Sequence, residues 1–551
     1  MRLNRSALSL ALLGGLFPGN SFGAAPNQPP TACFSVIPTN GTVDTAFKTD
    51  ADCSTDDRTA PSRLRVRWDW ENDGTWDTPY STTKSATHQY ANEGIKTIKL
   101  EVRDSAGLTG TTTQGVLVLP TLRQALVGEP PSTPGATEPD VDLDPEDPRK
   151  LVASAITGSL GEGVPVPFPA FYSTDGGQNW ARSTGSLSSH ALDTAVEFDG
   201  SGRAIFSAID LGRRDGTPAG IVVGISTDGG QTFAAMSHAM DTSTAFAFPD
   251  GSTRTLCARQ SSFFDFPKLA ADRSAVSPYR NNLYLIAQAL SFDLDGDGSC
   301  ETSPQVFIRS RDGGATWESG QVIPGMRQPT GSIGIGPDGA IYISDPTVNT
   351  PFCSTGSGIA LRKSLDGGAS FLPATCALLS DTAFQPGLTW TAANASDPGK
   401  LYIAFSATVG ALGPSDHIYV IRSVDAGATW APPVRVDDLL ADDRVDHLRP
   451  SLAASGNGRV DVAWMDYRNS TPKQWARDRQ PGDVYYSYSL DAGRTWAPNL
   501  RLSSSTSPLL SGAGNDYLTV VSSANTANAI YAQDQNGNVL YEARLTTLIF
   551  H

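Results

Sequence analysis

One eight-residue phrase, written six times, constrains this chain more than any other feature. It reads STDGGQNW (173–180), STDGGQTF (226–233), SRDGGATW (310–317), SLDGGASF (364–371), SVDAGATW (423–430) and SLDAGRTW (489–496). Each residue type has a turn-building role. Ser and Asp side chains accept hydrogen bonds from turn amides, Gly supplies a positive φ, and the terminal Trp or Phe covers a hydrophobic layer. The Asp residues 175, 228, 312, 366, 425 and 491 follow one another at intervals of 53, 84, 54, 59 and 66. A hairpin repeated at about the length of one four-stranded unit points to sheets arranged as the blades of a β-propeller.

The segments before each phrase support that reading. An inner strand, a turn and a middle strand can be traced in "TAVEFDGSGRAIFSAI", "GSIGIGPDGAIYISD" and "RPSLAASGNGRVDVAWMD" among others. A seventh copy, residues 516–545, has no hairpin phrase. Seven blades are therefore expected over 141–551, with six as the alternative. The last blade would be completed by a strand around "LRQALVG" (122–128), within a linker and closing segment at 120–140, leaving no open sheet edge. The 53 Gly and 38 Pro suit short strands and tight turns, and no long amphipathic helical pattern appears.

Residues 31–119 read as a separate small sandwich. "WDWENDGTWDT" (68–78) and "HQYANEGIKTIKLEVRDSAG" resemble the signature and later strands of PKD domains, immunoglobulin-like modules of extracellular proteins. The six hairpin phrases resemble the Asp-box (BNR) repeats of sialidase-like propellers. The resemblance implies an all-β chain and places the boxes on the face away from any active site. It also implies action on extracellular glycans, as an exo-glycosidase cleaving terminal sugars, acidic or neutral. A non-catalytic glycan-binding or adhesion propeller and a propeller polysaccharide lyase are the alternatives.

The N-terminus, MRLNR followed by an apolar run to Phe17 and small residues at Ser21 and Gly23, has the layout of a signal peptide over 1–23. A secreted or cell-surface monomer is expected, without a membrane span. In an exported chain, six cysteines suggest the local disulfides Cys33–Cys53, Cys257–Cys300 and Cys353–Cys376. The net charge of −16 opposes nucleic-acid binding.

Aligning the seven copies puts Glu138, Asp193, Lys268, Arg327 with Gln328, Gln385, Arg449 with Asp446 and His447, and Asp516 with Tyr517 at the starts of the inner strands, where propellers bind ligands. Arginines can hold a carboxylate bidentately, a carboxylic acid can protonate a leaving oxygen, and an activated Tyr can serve as nucleophile. The candidates are Glu138 and Asp516 as acid or base and Tyr517 as nucleophile. Arg327, Arg449 and Arg468 ("MDYRN") are anion-binding candidates, with His447, Gln385 and Lys268 as further ligand contacts. Polar residues at strand starts are also common solvated ends. The early RIP-like arginine motif of sialidases has no counterpart in "TEPDVDLDPEDPRKL".

"DLDGDG", with Asp293, Asp295 and Asp297, is the first half of a calcium loop, and Glu301 offers a further oxygen. Pro304 at the twelfth position excludes an EF-hand, so a structural calcium ion in an insertion is expected. Asp69, Glu71, Asp73 and Asp77 could form a second ion site or a hairpin turn. The six His residues show no paired metal spacing in sequence.

Overall fold

The computed structural model describes residues 26–128, 137–156, 168–185, 187, 191–210, 220–234, 236–255, 264–289, 304–323, 326, 332–348, 353, 357–379, 384–409, 416–439, 445–469, 481–508, 518–534 and 541–551. The chain divides into two compact units, Met1–Leu119 and Pro120–His551. The described residues contain no α-helix and only one short 3-10 turn, Pro61–Arg63. The signal-like segment and the pair Cys257 and Cys300 lie outside the described residues.

In the first unit, a three-stranded sheet (Ser35–Ile37, Phe47–Asp50, Ser85–His88) and a four-stranded sheet (Asn40–Gly41, Thr109–Val118, Gly94–Arg103, Arg65–Asp69) share one core. Phe34 and Phe47 meet Trp68, Ile98, Leu100 and Val116 there, because alternate residues of each strand point inward. A disulfide joins Cys33 and Cys53. The carboxylates of "WDWENDGTWD" (68–77) cap a turn: Asp69 accepts from the amides of Asp73 (3.1 Å) and Gly74 (3.0 Å), and Asp77 from that of Trp70 (2.8 Å).

The second unit contains, among the described residues, seven sheets of four or more strands, antiparallel except for one parallel pairing in the third. Their first strands are Thr137–Leu143, Ala191–Phe198, Phe264–Ala271, Gly334–Ile335, Phe384–Ala393, His447–Ala454 and Thr519–Ser522. In sheets one, two, four, five and six the chain then steps outward strand by strand; the third does so over four strands and is extended by Phe246–Ala247 and Thr253–Arg254, which precede it in the chain. In the seventh, Thr526–Asp534 and Tyr541–Ile549 are followed by Thr121–Leu126, so the outermost strand comes from the start of the unit. Each first strand packs on the first strand of the next sheet, and that of the seventh packs on that of the first.

The core lies between sheets. Seven apolar clusters each join residues of two neighbours. Val152 with Phe206 links sheets one and two, Ile205 with Leu285 sheets two and three, and Val462 with Tyr402 sheets five and six. Ile530 and Leu545 with Val141 and Leu151 link the seventh sheet to the first. The hairpin aromatics sit on these clusters: Trp180, Trp317, Trp430 and Trp496 flank them half-buried, and Phe233 is buried in one. Cys353 and Cys376 form a disulfide beside the fourth sheet.

All six hairpin phrases close through the same hydrogen bonds. The Ser hydroxyl donates to Asp Oδ1 at 2.6–2.8 Å and accepts from the amide of the second Gly at 2.7–2.9 Å. In the third hairpin the Thr316 hydroxyl and amide also donate to Asp312, which holds that carboxyl down at about 2. Gly314 has φ +95°, and a Cβ there would lie 3.1 Å from Ile225 of the preceding sheet, so the turn also sets how closely two sheets approach.

Candidate functional site

A kink near the start of the first strand recurs in five of the seven sheets. The register slips between Thr137 and Asp140, Leu192 and Ala195, Asp265 and Lys268, Pro386 and Thr389, and Leu448 and Ser451. These are β-bulges, in which an extra residue is left unpaired and its side chain is re-aimed. Glu138 (φ 49°), Asp193 (φ 41°), Phe266 (φ 48°) and Arg449 (φ 55°) occupy the left-handed region at four of them. Prolines 139, 267 and 450 follow three of these residues. Proline has no amide proton to donate and is at home in a bulge. Holding a non-glycine residue left-handed costs about 1–2 kcal/mol, and four such residues at equivalent positions form one strained row.

One step further along these strands stand Asp140 and Lys268. Lys268 is buried, with its ammonium 5.9 Å from the ring centre of Trp390 on the fifth sheet. Asp140 accepts from the amide of Val196 on the second sheet at 3.0 Å. Burial raises its pKa, and Lys268 and that hydrogen bond offset part of the rise. Deeper still, the Arg273 guanidinium bridges Asp142 and Glu197, carried by the first and second sheets. Burial lifts the Glu197 carboxyl to about 8; Arg273 opposes the rise and the Asp142 charge adds to it.

A second polar group joins the fifth and sixth sheets. His447, first residue of its strand, pairs across the ladder with Asp466, which pairs with Asp483. The His447 Nδ1 donates to Asp466 Oδ2 at 2.9 Å, and Trp464 Nε1 donates to the same oxygen at 2.8 Å. On the fifth sheet, Asp437 Oδ1 lies 3.2 Å from His417 Nδ1 and takes a hydrogen bond of 2.9 Å from Arg435 Nε. The amide of Ile418 donates to Asp437 Oδ2 at 2.9 Å. The two imidazoles stack with ring centres 5.4 Å apart. Burial opposes ionisation of both carboxyls. Hydrogen bonds from His417 and Arg435 nevertheless hold Asp437 well below the usual range, and those from His447 and Arg468 hold Asp466 at about 2.

Of the residues expected from sequence, Glu138 and Arg449 lie in the bulge row, and Lys268 lies one step beyond it. His447 and Arg468 are brought together through Asp466. Arg468 Nη2 donates to Asp466 (2.8 Å) and Asn499 (2.9 Å), Nε to Asp466 (2.9 Å) and Nη1 to Asp438 (2.9 Å), with only 13% of the side chain exposed. Its charge is thus spent on protein carboxylates and does not complete an anion clamp with Arg449. Gln385 is the second residue of the fifth sheet's first strand, paired with Thr408. Arg327, Asp516, Tyr517 and the calcium candidates Asp293, Asp295, Asp297 and Glu301 lie outside the described residues.

Sequence reasoning passed over Asp140, Asp142, Glu197, Arg273, His417, Asp437 and Asp466. The alternation in "PDVDLD" held one usable signal, since carboxylates at every second position of a buried strand share a face and require partners.

Residues 27–118 match the family model of the PKD domain, and residues 171–182 that of the BNR/Asp-box repeat. No curated protein matches the chain. Among solved structures, a protein of unknown function from Dyadobacter fermentans is 13% identical, with 79% of this chain and 100% of that chain covered and a TM-score of 0.43. The Hadza microbial sialidase Hz136 is 14% identical, over 95% of this chain and 93% of its own, at a TM-score of 0.40. A PL25 ulvan lyase is 12% identical, over 78% and 96%, at 0.42. The chain carries an N-terminal PKD domain followed by an all-β unit built on BNR/Asp-box hairpins.

Proposed function

We propose that the second unit is a seven-bladed β-propeller and that the protein is an exported, glycan-acting enzyme of the sialidase-like kind, taking a terminal acidic sugar where the inner strands begin. The observation that carries this reading is the bulge row. Strain repeated at equivalent positions of several strands is maintained where a side chain must be aimed, and such strain gathers at binding and catalytic sites. Here it presents two carboxyl groups, an aromatic ring and a guanidinium. The cyclic packing of seven sheets, each junction with its own core, supports the blade count.

In this reading Arg449 receives the sugar's carboxylate. Glu138 gives its proton to the leaving glycosidic oxygen while Tyr517 attacks the anomeric carbon and passes its phenol proton to Asp516, which returns it when that bond is later cleaved. Water then cleaves the glycosyl–tyrosine bond, with Glu138 taking the water's proton. Asp516 is the alternative acid. The test is turnover of fluorogenic glycosides together with glycan-array binding for wild type, Glu138→Gln, Tyr517→Phe and Arg449→Ala. Either of the first two changes should cut turnover by about 100-fold or more while leaving binding in place. Arg449→Ala should weaken binding of acidic glycans specifically. Binding without turnover in wild type would replace the enzyme with a capture protein; neither binding nor turnover would refute the reading.

A further inference from the structure

His447 is fully buried, and its two ring nitrogens meet different surroundings. Nδ1 donates to Asp466 at 2.9 Å, so Nε2 is the ring atom left to face the neighbouring sheet. Nε2 has no hydrogen-bond partner. It faces the fifth sheet, where Asp437 Oδ1 lies 3.7 Å away and His417 Nδ1 lies 3.2 Å beyond that oxygen. One donor atom from each of the three residues falls within 4.8 Å of the other two, and all three residues are buried. A fully enclosed ring nitrogen without a hydrogen-bond partner, beside a carboxylate and a second imidazole, calls for a partner of its own.

The spacing suits a metal. Ligands about 2.0–2.1 Å from a tetrahedral zinc ion stand about 3.3–3.4 Å apart, and the two separations above, 3.2 and 3.7 Å, bracket that edge. The surroundings suit one as well. A carboxylate on the far nitrogen of a ligating histidine fixes its tautomer and raises its basicity, and Asp466 holds His447 in this way, steadied by Trp464 and Arg468. Asp437 is oriented by the Ile418 amide on its other oxygen. Arg435 hydrogen-bonds the same oxygen that would ligate, which lowers affinity without occupying the space between the rings.

We propose that His417, Asp437 and His447 bind a divalent transition-metal ion of zinc-like preference. The ion would join the third strand of the fifth sheet, and the segment just after its fourth, to the first strand of the sixth. Two imidazoles and one carboxylate make a donor set of intermediate softness, which favours Zn²⁺ over Ca²⁺ or Mg²⁺. On binding, His417 Nδ1 gives up its hydrogen bond to Asp437, and the ring takes the tautomer that carries its proton on Nε2. None of these residues belongs to the proposed glycan machinery, so the inference stands apart from that reading.

The test uses the full chain, stripped by chelator and titrated with Zn²⁺ and with Co²⁺. One equivalent of Zn²⁺ should bind, detected as a saturable calorimetric heat, and should raise the melting temperature. Co²⁺ should produce the visible absorption of a low-coordinate site, bleached by Zn²⁺. His447→Gln should abolish the band, and Asp466→Asn should weaken affinity by about 10–100-fold while leaving the band's position unchanged. Calcium should not compete. If stripped wild type takes up less than a tenth of an equivalent of Zn²⁺ and shows no Co²⁺ band, the site is a metal-free histidine pair and the proposal fails. That outcome is decided on wild type, whether or not either variant folds.

Discussion

Glu197 shows what an inner strand does to a single carboxyl group. It shares the Arg273 guanidinium with Asp142, so one cation faces two acids, and the folded protein prefers Glu197 protonated up to about pH 8. The unfolded chain loses that proton near 4.5. A folded pKa above the unfolded one contributes stability that is complete below about 4.5 and is lost as the pH rises through about 8. Urea melts at pH 5 and pH 9 should therefore differ more for wild type than for Glu197→Gln, by on the order of 2 kcal/mol, since Asp142 and partial solvation share the effect. Equal pH dependence in the two proteins would show that Asp142 alone holds the proton. The chemistry of single hairpin residues was legible beforehand: Ser, Asp and Gly within five positions satisfy one another. Even the replacement of Gly by Ala426 and Ala492 leaves the turn intact, at φ 57° and 60°.

At the scale of the element, the bulge is the feature that gives the strands chemical meaning. Arg449 has an unfavourable backbone and a half-buried side chain. Arg449→Gly removes the Cβ that makes φ 55° costly and should hold stability level or raise it by up to about 1 kcal/mol. The same change should weaken glycan binding by at least about 10-fold. Arg449→Val, β-branched at a left-handed position, should destabilise. Thermal melts paired with binding isotherms check both, and a Gly variant that is clearly less stable would show that the side chain is structural. The recurring residue-proline pairs at 138–139, 266–267 and 449–450 were visible in the sequence. Their meaning was not, because a bulge is defined by the partner strand it slips against.

At the scale of the whole molecule, the ring order of the sheets rests on the strand Thr121–Leu126, which pairs with Tyr541–Ile549 and so ties the start of the second unit to its end. A chain beginning at Pro120 should unfold cooperatively at the melting temperature of the second unit. One beginning at residue 129 leaves Leu545 and Leu548 at an open edge and should melt at least about 10 °C lower. Calorimetry of the two truncations decides this, and indistinguishable melting would mean that the strand closes nothing.

What the amino-acid order determined alone was everything whose hydrogen bonds close within a few residues: the six hairpins, the alternation of the strands, the two-unit division and the charged strand starts. Tertiary structure alone decided which polar groups meet. His417, Asp437 and His447 come from two sheets and are drawn together by strand pairing and inter-sheet packing; Asp142, Glu197 and Arg273 come from three. No spacing along the chain encodes such meetings, because the apolar packing that produces them depends on area buried rather than on residue order.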